Sequence, residues 1–71
     1  MELSPVQQFH LEEARKSLTL AGRLANDGRR ARGQDVLRDA QMSYDRLPRW
    51  YKDEEYEKQF AQTHSLLYRG F

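Results

Sequence analysis

The chain has 71 residues, no cysteine, a formal net charge of +1 and a strongly polar mean hydropathy of −1.01. These values exclude disulfides and cysteine-based zinc sites, and no apolar run reaches the roughly 18 residues of a membrane-spanning helix. The first ten residues have neither a basic start nor an apolar stretch, so no secretory signal peptide is expected. We therefore predict a single domain over residues 1–71 with a cytoplasmic location.

Charge is distributed unevenly along the chain. Residues 1–13 carry three acidic side chains and no basic one, whereas residues 14–38 carry seven basic and two acidic ones. Residues 39–71 are close to balance, with five basic and six acidic side chains. The chain is thus an electrostatic dipole, and it lacks the strongly basic footprint that is typical of a nucleic-acid-binding domain.

The first predicted helix covers about residues 5–27. Ser4 is a favourable N-cap, Pro5 fits the first helical position, and Gln7 is placed to complete a capping box. At the other end, Gly28 is able to take the left-handed conformation that ends many helices. Local signals therefore define both ends of this helix.

Two apolar stripes run along the first helix. The first recurs at three- and four-residue steps, which places its members on one face. It consists of Leu11, Ala14, Leu18, Ala21 and Ala25. The second lies beside it and consists of Val6, Phe9, Leu20 and Leu24. Together the stripes cover roughly half the circumference, which is more than one neighbouring helix buries, so we expect two neighbours.

The second predicted helix covers about residues 34–47. An arginine-rich segment, Arg29–Gly33, is expected to connect it to the first helix. Its inner face has helical spacing. The members of this face are Val36, Leu37, Ala40, Tyr44 and Leu47, and Met42 points to the opposite, polar side. Pro48 is expected to end the helix, because a residue that precedes a proline avoids the helical region.

The third predicted helix covers about residues 49–69. It begins either near Pro48 or after a short aromatic turn, with Asp53 as the N-cap. Acidic residues are concentrated in its first turns, where the helix dipole favours negative charge. Gly70 is the expected stop. The inner stripe of this helix consists of Tyr56, Phe60, Thr63, Leu67 and Phe71.

Three helices with short connections predict an all-α fold, a small antiparallel three-helix bundle. The alternative is a long helical hairpin that dimerises and buries the second stripe of the first helix in another copy. A chain of this length buries only about 60% of the surface that its unfolded form exposes. Its stability then depends on well-packed helices, a second copy or a larger partner.

Seven basic side chains form a candidate basic patch. They are Arg15, Lys16, Arg23, Arg29, Arg30, Arg32 and Arg38. Guanidinium groups bind phosphates and carboxylates through paired hydrogen bonds, so this patch is a candidate site for an acidic protein partner or for nucleic acid. The alternative is a solvated segment whose cations interact favourably with the C-terminal end of the first helix.

The candidate partner-binding residues are large apolar and aromatic side chains that the expected core does not need. They are Phe9, Leu20, Leu24, Trp50 and Tyr51. Trp and Tyr are common at the energetic centres of interfaces, because they bury a large area at low entropy cost. Trp50 and Tyr51 are adjacent, so we expect one of them to be exposed, whereas we expect Tyr56 in the core.

No motif in the sequence indicates catalysis. There is no glycine-rich phosphate loop and no nucleophile placed beside a base, and His10, His64 and Glu13 are too few and too scattered to predict a metal or acid–base site. We predict no enzymatic activity, no cofactor and no metal.

The sequence predicts a small helical protein–protein interaction module: an adaptor, a chaperone-like subunit or an inhibitor that docks on a larger protein. The arginine residues would steer a partner whose surface is acidic. The alternative is a nucleic-acid-binding accessory protein that uses the basic patch, and a homodimer is a third hypothesis. No membrane partner is expected.

Overall fold

The computed structural model describes residues 2–69, which form three α-helices: α1 (Pro5–Asn26), α2 (Arg30–Tyr44) and α3 (Glu54–Tyr68). No strand occurs among these residues. α1 packs against both other helices, and the principal extents are 41 × 17 × 13 Å. The predicted all-α three-helix bundle is confirmed. The alternative of a long hairpin does not apply, because α3 packs on α1 and α2 within the same chain.

The start of α1 follows the predicted capping box. The backbone N–H of Gln7 donates to Ser4 Oγ at 3.2 Å, and the Ser4 N–H donates to Gln7 Oε1 at 2.8 Å. These two bonds satisfy donors that an uncapped helix end leaves without partners. Pro5 occupies the first turn, as expected.

The turn between α1 and α2 is a Schellman motif centred on Gly28, whose φ of 77° lies in the left-handed region. The Gly28 N–H donates to the carbonyl of Ala25 at 3.2 Å, and the Arg29 N–H donates to the carbonyl of Leu24 at 2.9 Å. The predicted role of Gly28 is confirmed. Because this turn needs only three residues, α2 folds back directly along α1.

α2 and α3 run antiparallel. Near the start of α2, Gln34 Nε2 donates to the carbonyl of Leu67 at 2.9 Å, close to the end of α3. At the end of α2, the hydroxyl of Tyr44 accepts a hydrogen bond from the backbone N–H of Asp53, the N-cap of α3. The Gln34 side chain also satisfies one of the carbonyls that the C-terminus of α3 leaves without an intrahelical donor.

Both ends of α2 differ from the predicted limits. The helix begins at Arg30, four residues earlier than expected, so most of the arginine-rich segment is helical. It ends at Tyr44, and the N–H groups of Arg46 and Leu47 donate to carbonyls three residues back. The chain tightens in this way because Pro48 has no N–H to continue a helix and disfavours a helical residue before it.

α3 begins at Glu54, five residues later than the predicted limit. Asp53 is the N-cap, with an extended backbone, and its Oδ1 accepts a hydrogen bond from the Tyr56 N–H at 3.1 Å. Residues 45–53 therefore form the connection, which includes a turn closed by the Tyr51 N–H and the Pro48 carbonyl. Of the two starts that the sequence allowed, the cap at Asp53 is the one observed.

The core follows the predicted helical periodicity with few exceptions. Leu37 and Leu67 are its largest fully buried side chains, and Thr63 is buried beside them on α3. Tyr44, Phe60 and Ala25 pack at its margin, and Tyr56 lies inside it as expected. The buried apolar residues are Leu11, Ala14, Leu18, Ala21, Leu24, Val36, Leu37, Ala40, Tyr56 and Leu67.

Two expectations, Phe71 in the inner stripe and Gly70 as the stop of α3, lie outside the described residues. Within residues 2–69, none of the helices has the length and apolarity that crossing a bilayer requires.

The two helical glycines differ in how closely a neighbouring helix approaches them. Gly33 is buried in α2, where an added Cβ would lie 2.6 Å from Leu67 Cδ2 and 3.4 Å from Leu24 Cβ. At Gly22 of α1, an added Cβ would lie 3.9 Å from Thr63 Oγ1, which is an ordinary contact. Gly33 is therefore required by packing, whereas Gly22 is not.

We expect opposite effects when each glycine is replaced by alanine. Gly33→Ala should lower the free energy of unfolding by about 1–2 kcal/mol, because overpacking against fully buried Leu67 outweighs the gain in helix propensity. Gly22→Ala should raise it by about 0.5–1 kcal/mol, because alanine restricts the unfolded chain and meets no clash. Urea denaturation followed by circular dichroism measures both. A Gly33→Ala variant as stable as the parent would contradict the close packing described here.

Candidate functional site

Arg15 of the predicted basic patch is bound to α3. Its Nη2 lies 2.6 Å from Asp53 Oδ2, and its Nε donates a second hydrogen bond to the same oxygen at 3.2 Å. The Arg15 side chain is more than half exposed, whereas that of Asp53 is almost buried. Arg15 thus joins α1 to α3, a role that the sequence did not indicate.

Two further members of the patch have carboxylate neighbours on their own helix. Lys16 Nζ is 3.7 Å from Glu13 on α1, and Arg38 Nη1 is 4.0 Å from Asp35 on α2. All four side chains are exposed, so these pairs contribute little to stability. Arg23 occupies the last turn of α1, where a cation interacts favourably with the helix dipole.

The prediction that Arg29–Gly33 forms a loop is wrong. Arg29 is the N-cap of α2, without a capping bond from its side chain, and Arg30 and Arg32 lie in the first turn of that helix. The physical reason is that the Schellman turn at Gly28 already reverses the chain, so α2 can begin at Arg30, and buried Gly33 leaves room for Leu67. The seven basic side chains are spread along α1 and α2, from Arg15 beside the start of α3 to Arg29 and Arg30 at the turn between α1 and α2.

Three of the five predicted partner-binding residues lie on α1, and the structure exposes two of them and buries the third. Phe9 and Leu20 are 57% and 44% exposed. Leu24 is only 7% exposed, so its assignment to the exposed partner surface is wrong. Gly33 explains the burial of Leu24, because a residue without a side chain lets α2 approach this position closely. Phe9 and Leu20, joined by Val6, define the outward face of α1.

The other two predicted partner-binding residues lie in the connection between α2 and α3. Trp50 is exposed and Tyr51 is half-buried, as their adjacency predicted, and their rings meet edge to face at 6.1 Å. The hydrogen bond to Asp53 raises the pKa of Arg15, and the nearby Tyr51 adds a smaller effect of the same sign. The connection therefore lies against α1 near Arg15, with Trp50 on its outer side.

Asp53 lies where the three helices meet. Its Oδ2 accepts from Arg15 of α1, and its Oδ1 accepts from the first turn of α3. Its backbone N–H donates to Tyr44 Oη of α2 at 2.9 Å. The Tyr44 hydroxyl in turn donates to Glu57 Oε2 at 2.9 Å. One hydrogen-bond network therefore fixes the start of α3 against both other helices.

This network shifts the pKa of two of its members. Burial by itself would raise the pKa of Asp53, but the hydrogen bonds from Arg15 and from the Tyr56 N–H outweigh burial and lower it. Burial and the hydrogen bond to Glu57 raise the pKa of Tyr44, although the hydrogen bond from the Asp53 backbone opposes the rise. Asp53 therefore stays ionised, as an acceptor for Arg15, and Tyr44 stays protonated, as a donor to Glu57.

Tyr44 and Tyr56 stack face to face, with ring centroids 4.2 Å apart and 8° between their planes. Phe60 follows one turn later, 6.1 Å from Tyr56. These rings form the apolar wall of a groove of about 360 Å³ between α2 and α3, which we call the aromatic groove. Its lining consists of Gln41, Tyr44, Asp45, Tyr56, Glu57 and Phe60.

The aromatic groove is missing from the sequence-based predictions. The predictions placed Tyr44 in the core, but it is half-buried and its ring lies at the edge of α2. A signal was present in the i, i+4 spacing of the rings of α3, since Phe60, His64 and Tyr68 continue the series at 6.2 and 4.4 Å. That spacing indicates a row of rings but does not show which helix lies opposite it.

The histidines do not form a site with Glu13. His10 contacts the ring of Phe9 on α1, and His64 stacks between Phe60 and Tyr68 on α3. In the described part of the chain, no three His, Cys, Asp or Glu side chains are grouped so that they could hold a metal ion.

No protein-family model, no curated protein sequence and no solved structure matches this chain.

The acid stability of the protein should depend on Asp53. Because its pKa is lowered on folding, its contribution is complete above the unfolded value of about 3.9 and is lost as pH falls through the lower folded value. Asp53→Asn retains a capping side chain but removes the charge. We expect this substitution to lower the free energy of unfolding by only about 1 kcal/mol at neutral pH, because solvent screens the half-exposed Arg15. The difference from the parent should shrink below about pH 4.

Urea denaturation across this pH range measures the difference. Asp35→Asn is the matched control, because it removes an equally charged group from an exposed pair, and its effect should be small at every pH. An Asp53→Asn deficit that stays constant down to about pH 2 would contradict the proposed linkage.

Removal of the hydroxyl group should lower the stability of the protein at only one of the two stacked tyrosines. Tyr56 is only 4% exposed, burial raises the pKa of its hydroxyl, and among the described residues that hydroxyl has no hydrogen-bond partner. Tyr56→Phe should leave stability unchanged or raise it by about 1 kcal/mol, because a buried polar group without a partner is removed. Tyr44→Phe loses its bonds to Asp53 and Glu57 and should lower stability by about 1 kcal/mol. Thermal denaturation measures both, and equal losses would show that the Tyr56 hydroxyl is bonded in solution.

Proposed function

We propose that this chain is a small helical protein–protein interaction module, an adaptor, chaperone-like subunit or inhibitor that docks on a larger protein through the outward face of α1. The observation that carries the proposal is the exposure of Phe9 and Leu20 on that face. They are eleven positions apart in the sequence, so they point within about 20° of each other and lie about 16 Å apart along the helix. Two large apolar side chains at this spacing suit the groove of a protein partner.

The surroundings of Leu20 favour an acidic partner. Leu20 lies in a shallow depression that it shares with Lys16 and Arg23, and with Arg15 and Thr19. No acidic residue is among the described residues that line this depression. A partner that places an apolar side chain on Leu20 and carboxylates around it would match both the shape and the charge, and the charges would mainly raise the association rate.

The nucleic-acid alternative uses the same basic side chains. No separate observation favours it, and the carboxylate neighbours of Arg15, Lys16 and Arg38 weaken the attraction for nucleic acid and for an acidic protein alike. It is therefore tested as an outcome of the experiment below. The cytoplasmic location and the absence of enzymatic activity also stay predictions from composition and motif content.

Leu20→Asp should abolish partner capture, because it places a charge at the centre of the proposed contact. The matched control is Met42→Asp, which puts the same charge on an exposed apolar position of α2. Met42 is 54% exposed and should tolerate the change. The measurement is a pull-down from source-cell lysate with each variant, divided into nuclease-treated and untreated halves and quantified by mass spectrometry, after circular dichroism has shown that both variants are folded.

A protein that is captured by the parent and by Met42→Asp, but is lost at least about tenfold with Leu20→Asp, supports the proposal. Equal capture of the same protein by Leu20→Asp would exclude the outward face of α1 as the docking surface. Material that disappears after nuclease treatment would favour the nucleic-acid alternative.

A further inference from the structure

We propose that the outward face of α1 pairs with the same face of a second copy of this chain, in an antiparallel arrangement that packs Phe9 of each copy against Leu20 of the other. This inference rests on the proposed function, since it takes the same face as a contact surface. It names the molecule that covers the face when no larger partner is bound. The order of charged and apolar side chains along α1 carries the argument.

The outward face continues through the charged residues between and beyond its apolar ones. Its members recur at alternating three- and four-residue steps, which is the pattern of a seam between two paired helices. They are Val6, Phe9, Glu13, Lys16, Leu20 and Arg23. At 100° per residue they share a sector about 100° wide, opposite the buried side chains of Leu11 and Leu18. The other two helices therefore leave this side of α1 to solvent.

An antiparallel second copy brings matching side chains together. When Phe9 is placed opposite Leu20 of that copy, Glu13 falls opposite its Lys16, because Glu13 follows Phe9 by four positions and Lys16 precedes Leu20 by four. In the other direction, three positions away, Val6 meets the aliphatic part of Arg23. A two-fold axis repeats each contact, as an isologous dimer requires.

The charges in the middle of the face select the antiparallel direction. In a parallel pair, Glu13 would face Glu13 of the second copy and Lys16 would face Lys16, and both contacts repel. In the antiparallel pair, each faces the opposite charge. The contact of 3.7 Å between Lys16 and Glu13 of one helix then joins the two new pairs into a cluster of four alternating charges. Charged residues inside a seam fix its direction and register at some cost in affinity.

The second copy also provides the chemistry that suits the depression around Leu20. That depression contains Lys16 and Arg23, and none of its described residues is acidic. Residues 1–13, in contrast, carry three acidic side chains and no basic one. Antiparallel pairing therefore places the acidic start of each α1 beside the basic depression of the other, with Phe9 as the apolar side chain that packs on Leu20. The dipoles of the two helices also run in opposite directions, which is favourable.

The expected contact is weak. It extends over about 27 Å of helix and contains three apolar side chains from each copy, so it lies at the lower end of specific interfaces. We expect a dissociation constant on the order of 0.1 mM. Because a larger partner would use the same face, the second copy competes with that partner, and the competition increases with the concentration of the chain.

The test is sedimentation equilibrium of the purified full chain between about 10 µM and 1 mM, a range that brackets the expected constant. The mass should rise from that of one chain, 8.5 kDa, towards that of two. Glu13→Lys and Lys16→Glu should each weaken self-association at least about tenfold, because all four central charges then have the same sign. Arg38→Glu is the matched control, since Arg38 has a carboxylate neighbour at the same spacing but lies on α2, and its effect should be small.

A mixture of the two α1 variants separates complementarity from a general effect of charge. In an equimolar mixture, Glu13→Lys chains face Lys16→Glu chains, and each central pair again consists of opposite charges. The mixture should therefore associate about as tightly as the parent, although neither variant does so alone. Circular dichroism establishes first that each variant is folded.

A spin label tests the direction of the pair. The chain has no cysteine, so Asn26→Cys, at an exposed position near the end of α1, accepts a single nitroxide. The labelled chain is mixed with ¹⁵N-labelled parent chain, so that only contacts between copies broaden the observed signals. The amides of Val6 and Gln7 should broaden most, because the antiparallel pair places them beside the end of the other α1.

Three results would overturn the proposal: a parent chain that stays monomeric at about 1 mM, a mixture that associates no more than its components, or broadening centred on Arg23. These measurements use the purified chain and are separate from the capture of a larger partner. A monomeric parent together with capture that depends on Leu20 would remove only the pair. Self-association without any such capture would remove only the larger partner.

Discussion

Asp53 accepts hydrogen bonds from Arg15 of α1 and from the first turn of α3, and its own N–H is bonded to Tyr44 of α2. This single residue determines where α3 begins and how it is placed against the other two helices. The orientation of Tyr44 follows from it, and with that orientation come the stack on Tyr56 and the wall of the aromatic groove. At the other end of the bundle, Gly33 packs against fully buried Leu67, and Gln34 donates a hydrogen bond to the Leu67 carbonyl.

The unequal lengths of the helices leave surface uncovered. α1 has 22 residues, whereas α2 and α3 have 15 each, so α1 is longer by about 10 Å. The other two helices cover the N-terminal turns of α1, where Val6 and Phe9 lie, less completely than the middle of the helix. A small core cannot bury every apolar side chain that the sequence supplies, and part of the excess lies on the outward face of α1.

Charged side chains are also distributed unevenly between two surfaces of the folded chain. Basic side chains surround Leu20 on the outward face of α1, whereas the aromatic groove between α2 and α3 is lined by Asp45 and Glu57. No described residue is shared by the linings of these two surfaces. The two surfaces therefore differ in the sign of the charged side chains that line them.

The sequence by itself determined the features that depend on near neighbours: the capping box at Ser4, the left-handed turn at Gly28, the periodic core positions and hence the all-α class. These follow from backbone geometry and from helical spacing, which act over a few residues. The tertiary structure alone decided the burial of Leu24, the helical state of Gly33 and the meeting of Tyr44 with Tyr56. Each of these depends on which side chain arrives from another helix, and no local pattern contains that information. The aromatic groove belongs to this second group, because its two walls are distant in sequence and meet only when Asp53 has fixed the position of α3.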